Sequence, residues 1–251
     1  MKNCAVILAG GEGKRMKMDK PKPLAEVLSE PMLKWVIGSV KSAGVDEICI
    51  VKGFGKEYVE QFVETLGFPV ETVFQAERLG TGHAVMQAKG FLKNNAGNVV
   101  ILNGDAPFMD SKTIRDSLKY HTENGNAATV ITAKVDDPTG YGRIIRGENG
   151  ELKAIVEHKD ATDEEKLVNE VSSGGFWFDT EKLLGVLGEI KSDNSASEYY
   201  LPDAIKLLLE KKEKVGAFTA DSADTVLGAN DREQLRELEN IAVTKGYKCT
   251  L

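Results

Sequence analysis

The chain has 251 residues, 41% of them hydrophobic, and its 32 basic and 39 acidic side chains give a net charge of -7. This length allows one large domain or two small ones, with a sizeable core in either case. The acidic balance argues against non-specific binding to nucleic acid or to anionic membranes, so we expect no nucleic-acid partner and no membrane partner.

The three cysteines, Cys4, Cys49 and Cys249, are far apart along the chain. Their odd number and wide spacing favour reduced thiols over a disulfide framework or a metal site. The apolar run 5–9 is too short for a signal peptide and leads directly into glycines. No run approaches the roughly 20 apolar residues of a membrane helix. We therefore expect a cytoplasmic protein.

Short apolar runs alternate with helical patterns through the first part of the chain. Strands are predicted over 4–9, 47–51, 70–74 and 99–103, and helices over 32–43, 57–66 and 82–92. Alternation of this kind predicts an α/β fold, with a mixed, mostly parallel sheet flanked by helices on both faces. In such sheets ligands bind at the carboxyl ends of the strands.

After about residue 126 strands follow one another with fewer helices between them. Strands are predicted over 128–135, 143–145, 152–157 and 171–178, and helices over 181–187, 203–211 and 231–245, the last one capped by Asp231. No linker or internal repeat divides the chain. We therefore expect a single domain over 1–251, with a first half over about 1–126 and a more antiparallel half over about 127–230.

A glycine-rich loop, Gly10-Gly11-Glu12-Gly13, follows the first predicted strand. Successive backbone N–H groups in such a loop can form a concave anion site, because glycine lets a ligand approach the main chain. Cations follow at Lys14, Arg15, Lys17, Lys20 and Lys22. Phosphate binding is the favoured interpretation, and a flexible surface turn with solvated lysines is the alternative.

Two known phosphate-binding patterns do not fit this loop. A P-loop needs Ser or Thr after Gly-Lys, but Gly13-Lys14 is followed by Arg15. A dinucleotide fingerprint needs a third glycine, and Met16 stands at that position.

The pattern that does fit is Leu-x-x-Gly-x-Gly-x-Arg-Met over 8–16, followed by Pro21-Lys22. It resembles the sugar-nucleotide pyrophosphorylases, and the similarity is strongest to the uridylyltransferase half of the bifunctional N-acetylglucosamine-1-phosphate uridylyltransferases. Further matching segments occur in the same order and spacing over 75–84, 103–107, 140–144, 155–162, 198–201 and 228–232.

This resemblance implies a nucleotide-diphospho-sugar transferase fold, Rossmann-like, with a smaller antiparallel sugar-binding lobe. It implies transfer of a uridylyl group from UTP to a sugar 1-phosphate, with release of pyrophosphate and with Mg²⁺ as cofactor. The catalytic residues would be Arg15, Lys22 and Asp105, and the metal ligands Asp105 and Asn230. The nucleotide would bind at Leu8, Ala9, Gly10, Gly11, Gly13, Gln75, Gly80 and Thr81, and the sugar at Gly142, Glu157, Ser172 and Tyr199.

The sugar side departs from the family pattern. Ser172 replaces the usual asparagine, Gly175 a larger apolar residue, Asn103 a common tyrosine and Pro202 a threonine. The β-helix that carries the acetyltransferase in the bifunctional relatives is not expected in this sequence. N-acetylglucosamine 1-phosphate is the favoured acceptor. Another sugar 1-phosphate, an alcohol phosphate with CTP, and a non-catalytic nucleotide-sugar sensor are the alternatives.

Overall fold

The computed structural model describes residues 2–16, 18–194 and 196–251. Over these residues the strands are β1 Lys2–Ala9, β2 Glu26–Val27, β3 Glu30–Pro31, β4 Glu47–Lys52, β5 Glu71–Phe74, β6 Gly97–Asn103, β7 Ala128–Lys134, β8 Arg143–Arg146, β9 Leu152–Val156, β10 Glu170–Asp179 and β11 Val215–Thr219. The helices are α1 Met32–Ser42, α2 Lys56–Glu64, α3 Thr81–Gln87, α4 Lys89–Asn94, α5 Ser111–Glu123, α6 Asp163–Lys166, α7 Thr180–Leu187, α8 Pro202–Glu210 and α9 Arg232–Lys245.

One mixed sheet organises the described residues. Its central order is β11-β7-β10-β6-β1-β4-β5, and the β8–β9 hairpin attaches to β10. Strands β6, β1, β4 and β5 run parallel, as do β7 and β11, whereas β10 is antiparallel to both β6 and β7. The predicted α/β fold with a mostly parallel sheet and a small antiparallel part is therefore confirmed. No helix in the described part of the chain is long and apolar enough to cross a membrane.

Helices cover the sheet on both faces, so its central strands are apolar on both sides. On β1, the adjacent residues Val6 and Ile7 are both fully buried but belong to different core clusters. Val6 packs in the cluster that includes α3, α4, α7 and α8, and Ile7 packs in the cluster that includes α1, α2 and α5. This two-sided burial gives the loops at the strand ends a rigid base.

The C-terminal helix α9 begins next to the glycine-rich loop. Asp231 caps it, because its carboxylate accepts hydrogen bonds from the backbone N–H groups of Glu233 and Gln234, as predicted. The Nε of Arg232 donates to the carbonyl of Met16 at 2.9 Å. Residue 230 is thereby brought to the same end of the sheet as residues near the N-terminus.

Several elements differ from the prediction. The helix predicted over 82–92 is two helices, because the backbone leaves the helical conformation at Ala88 (φ -83°, ψ 10°). Helices α5 and α6 and strands β2, β3 and β11 were not predicted. Helix α5 is mainly polar, and its buried side is Thr113, Ile114, Ser117 and His121, so hydrophobic periodicity does not reveal it.

The buried histidine of α5 makes stability depend on pH. His121 is 1% exposed, its Nδ1 lies 3.0 Å from Thr129 Oγ1, and its Nε2 has no hydrogen-bond partner among the residues that the structure describes. Burial lowers the pKa of His121 from 6.5 to about 4. The unfolded chain therefore takes up a proton as the pH falls below about 6.5, whereas the folded chain does so only near 4, so stability falls across this window.

We expect this one group to lower the free energy of unfolding by up to about 3 kcal/mol between pH 7 and 4. Urea unfolding of the wild type and of His121→Phe across this range measures the effect. The difference in stability between the two proteins should shift in favour of the variant as the pH falls. If the free energies of unfolding of the two proteins changed by the same amount with pH, the role of His121 would be contradicted.

Candidate active site

A cavity of about 860 Å³ opens where β1 and β6 end. A smaller cavity of about 310 Å³ adjoins it. The two share the wall residues Leu8, Lys22, Thr81, Asn103 and Asp105. These large and small cavities are therefore two ends of one cleft at the carboxyl edge of the parallel strands, where α/β sheets bind ligands.

The glycine-rich loop forms part of the small cavity and positions Lys22. Gly10 and Gly11 line that cavity, and the backbone N–H of Lys22 donates to the Gly11 carbonyl at 3.1 Å. Gly13 has a φ of +64°, and a Cβ atom there would lie 2.9 Å from the Cβ of Lys22. A side chain at position 13 would therefore be strained and would crowd the lysine.

Lys22 joins two side chains that are far apart in the sequence. Its Nζ donates to Asn230 Oδ1 at 2.7 Å and also forms an ion pair with Asp105 Oδ2. The side chains of Lys22 and Asp105 are 14% and 24% exposed. The Lys22 ammonium is thus a partly buried cation held between two side-chain oxygens, at the junction of the large and small cavities.

Backbone hydrogen bonds fix the positions of both Asp105 and Asn230. Asp105 follows β6, and the N–H of the preceding Gly104 donates to the Leu8 carbonyl at 2.9 Å. The N–H of Asn230 donates to Gln234 Oε1 at 2.7 Å. The positions of Asp105 and Asn230 therefore do not depend on Lys22 alone.

Gln75 closes the other side of the small cavity. It is 6% exposed, and its Nε2 donates to the Gly80 carbonyl at 3.0 Å. Gly80 has a φ of +106°, and a Cβ atom there would lie 2.6 Å from the carbonyl oxygen of Tyr199. Thr81 Oγ1 accepts a hydrogen bond from the N–H of Leu201 at 3.0 Å. This loop is thus held by close backbone contacts that only glycine permits.

The far end of the large cavity is lined by Gly142, Glu157 and Ser172. The N–H of Ser172 donates to the Gly142 carbonyl at 2.8 Å, and a Cβ atom on Gly142 would lie 3.2 Å from Glu157 Oε1. Burial, followed by the charges of Asp160 and Asp203, raises the pKa of the Glu157 carboxyl. The cleft therefore presents a partly buried carboxyl group, a hydroxyl group and exposed backbone at this end.

Most of the residues predicted for the site come together in this cleft. Exposed Arg15 lines the large cavity. Ala9, Gly13 and Tyr199 do not lie among the wall residues of either cavity. Ala9 packs in the core, and the carbonyl of Tyr199 accepts a hydrogen bond from the N–H of Gly82 at 2.7 Å. Their predicted ligand contacts stay predictions, and Lys17 lies outside the described residues.

Further wall residues without a predicted ligand contact include Lys159, Tyr200 and Gln234 in the large cavity and Arg78 in the small cavity. The sequence could have indicated Gln234, because it lies in the first turn of the predicted helix, four residues after the predicted ligand Asn230. Tyr200 neighbours the predicted Tyr199, and the sequence alone does not tell which of the two rings faces the cavity. The sequence marks Asn103, which lines both cavities, as a sugar-side departure from the family pattern, whereas Lys159 carries no comparable signal.

Asp105 and Asn230 suit a hard divalent cation, because Mg²⁺ prefers one or two carboxylates together with phosphate oxygens and water. In the described part of the chain, no group of three or more His, Cys, Asp and Glu side chains is arranged to hold a metal ion. The donor set here is one carboxylate and one amide oxygen with a lysine ammonium between them. These oxygens fit a metal that completes its shell with the phosphates of a ligand.

The chain is similar to bifunctional bacterial proteins over nearly its full length. It is 48% identical to the bifunctional protein GlmU of Acetivibrio thermocellus over 237 residues, which is 94% of this chain and 51% of that protein. It is 46% identical to the bifunctional protein GlmU of Clostridium botulinum over 239 residues, which is 95% of this chain and 52% of that protein. The chain thus spans about half the length of these relatives.

A solved structure of a UDP-glucose pyrophosphorylase complexed with UDP-glucose has the same fold. It superimposes with a TM-score of 0.80 at 18% identity and covers 98% of this chain and 100% of that one. The pattern that defines the nucleotidyl transferase family matches residues 4–225. With this match over most of its length, the chain belongs to the nucleotidyl transferase family.

Proposed function

We propose that the chain is a uridylyltransferase that makes UDP-N-acetylglucosamine and pyrophosphate from UTP and N-acetylglucosamine 1-phosphate. The observation that carries the proposal is the single cleft in which the glycine-rich loop and Gln75 face one end, Glu157 and Ser172 face the other, and Lys22 lies between. The two substrates would enter from opposite ends and meet at Lys22 and Asp105. Both substrates are charged metabolites, so the cytoplasm is the expected location.

In the proposed reaction, a phosphate oxygen of the sugar 1-phosphate attacks the α-phosphorus of UTP. A new P–O bond forms, the bond to the β-phosphate oxygen breaks, and pyrophosphate leaves with that electron pair. The nucleophile is already an anion at neutral pH, so positioning and charge neutralisation are the main requirements. The absence of a Ser-His-Asp arrangement among the proposed catalytic residues agrees with this chemistry.

The chain's own groups would divide these tasks along the cleft. The N–H groups at Gly10 and Gly11 would bind the triphosphate, and the Gln75 amide would pair with the edge of the uracil ring. Lys22 would hold the α-phosphate, and Arg15 would neutralise the leaving pyrophosphate. A Mg²⁺ ion held by Asp105 and Asn230 would neutralise phosphate charge when bound.

The acceptor sugar would lie between Gly142, Glu157 and Ser172. A carboxylate suits a sugar hydroxyl, and a serine supplies one hydroxyl in place of a full amide. Lys159 also lines the large cavity, and its ammonium would attract the phosphate of an entering acceptor. This set of groups supports a phosphorylated hexosamine as the acceptor.

A panel of sugar 1-phosphates tests the choice of acceptor. With UTP and Mg²⁺, we expect N-acetylglucosamine 1-phosphate to give the highest kcat/KM, ahead of the glucosamine, N-acetylgalactosamine and glucose 1-phosphates. Pyrophosphate release is measured for each sugar. The variant Ser172→Asn should keep this order if Ser172 is a tolerated replacement.

A different sugar at the head of the order would contradict the proposed acceptor and would assign specificity to the segment from Ser172 onward. UTP binding without release of pyrophosphate from any sugar would instead favour a non-catalytic sensor.

A further inference from the structure

An ion pair crosses the rim of the small cavity. Arg78 Nη1 contacts Glu12 Oε2, and this pair joins the glycine-rich loop to the loop that carries Gln75. The two loops also meet below the pair, where a Cβ atom on Gly10 would lie 3.2 Å from Gln75 Oε1. Arg78 lines the small cavity together with Gly10 and Gly11.

Glu12 is an unexpected residue at this place. It lies between Gly11 and Gly13, in the loop whose backbone N–H groups are suited to an anion. A carboxylate here repels the phosphates of an incoming nucleotide. Its contact with Arg78 offsets that charge in the protein without nucleotide.

The pair is open enough to exchange partners. The side chains of Arg78 and Glu12 are 46% and 25% exposed, and ion pairs that water reaches to this extent contribute little to stability. The guanidinium carbon of Arg78 also lies 6.0 Å from the centre of the Phe54 ring. The ring therefore gives the guanidinium group a second contact at the rim, one that does not involve Glu12.

We propose that Arg78 is a triphosphate-binding residue, and that it exchanges the carboxylate of Glu12 for phosphate oxygens when UTP enters. The inference rests on the proposed function, because it takes UTP as the ligand of the small cavity. A guanidinium group binds phosphate through two parallel hydrogen bonds, so the exchange replaces one anion by a more highly charged one. Glu12 then acts as a competitor that holds Arg78 in place until the nucleotide arrives.

Competition predicts opposite effects for the two partners. Removal of the cation by Arg78→Gln should weaken UTP binding by about tenfold, since a hydrogen bond to a charged group is lost at an exposed site. Glu12→Gln should tighten UTP binding a few-fold, because it frees Arg78 and removes a negative charge. In the double variant the gain from Glu12→Gln should become smaller, because part of it requires Arg78.

Titration calorimetry with UTP and with uridine, in Mg²⁺ and without sugar phosphate, measures these changes. Uridine carries no phosphate, so its affinity should not change in any of the variants. Arg115→Gln serves as the matched control, because Arg115 lies on α5, donates to the carbonyl of Ser42 at the end of α1 and lines neither cavity. Its UTP affinity should equal that of the wild type, and thermal melting checks that every variant is folded.

Unchanged UTP affinity in Arg78→Gln, weaker UTP binding in Glu12→Gln, or an equal loss for uridine would each overturn the inference. Binding is measured apart from turnover, so the two proposals can fail separately. A chain that binds UTP but transfers nothing to any sugar phosphate contradicts the proposed function, and the binding comparison still decides the role of Arg78. A chain that does not bind UTP contradicts both.

Discussion

Asp105→Asn is expected to lower kcat by roughly 10²- to 10³-fold while the protein remains folded. The carboxylate pairs with Lys22 at the junction of the two cavities and is one of the two proposed metal ligands. Asparagine keeps the shape and one oxygen donor but removes the negative charge. Both the position of Lys22 and the affinity for Mg²⁺ should suffer.

Steady-state rates of pyrophosphate release, measured over a range of Mg²⁺ concentrations, test this expectation. Asp221→Asn is a suitable control, because Asp221 also pairs with a lysine, Lys112, but its side chain is 80% exposed and lies outside the cleft. Thermal melting should show that both variants are folded, with an unchanged midpoint for Asp221→Asn and a lower one for Asp105→Asn, because Lys22 then loses its anion. Full turnover by Asp105→Asn at saturating Mg²⁺ would refute the role of the carboxylate.

Lys22→Met is expected to lower kcat by about 10²-fold, because the ammonium that would hold the α-phosphate is lost in a partly buried site. Methionine keeps much of the apolar length of the side chain, so the loop around Gly13 should still pack. The same change leaves Asp105 without its cation. The protein without nucleotide should therefore also melt at a lower temperature.

Lys20→Met provides the matched comparison. Lys20 is an exposed lysine two residues earlier in the same loop, and the sequence favours a solvated role for it. The kcat of Lys20→Met should stay within about twofold of the wild type, because solvent screens surface charges that lie far from the reacting atoms. Equal losses in the two variants would mean that the general charge of the loop matters, and not the contact of Lys22 with Asp105 and Asn230.

Much of the fold could be predicted because its central strands are buried on both faces. The strands β1, β4 and β6 are short apolar runs, and each predicted run lies within an observed strand. The order of helices and strands then gave the α/β class. Helix α5 could not be found in this way, because its buried side includes Ser117 and His121.

Without the family resemblance, the site could be predicted only where one segment of the sequence carries the signal. The glycine-rich loop and the aspartate that ends β6 are readable from the local sequence. Lys22 and Asn230 are 208 residues apart, and only the three-dimensional fold reveals their hydrogen bond. The Glu12–Arg78 pair, 66 residues apart, is equally invisible to spacing arguments. The resemblance to a family identified Asn230, whereas it gave no role to Arg78.

The most direct test of the proposed function is the stoichiometry of the reaction with UTP, N-acetylglucosamine 1-phosphate and Mg²⁺. Pyrophosphate and the UDP-sugar are quantified in the same samples, with omission of the sugar phosphate as the control. We expect the two products to appear in equal amounts, and only when both substrates and the metal are present. Pyrophosphate release without the sugar phosphate, or UTP binding with no UDP-sugar formed, would contradict uridylyl transfer.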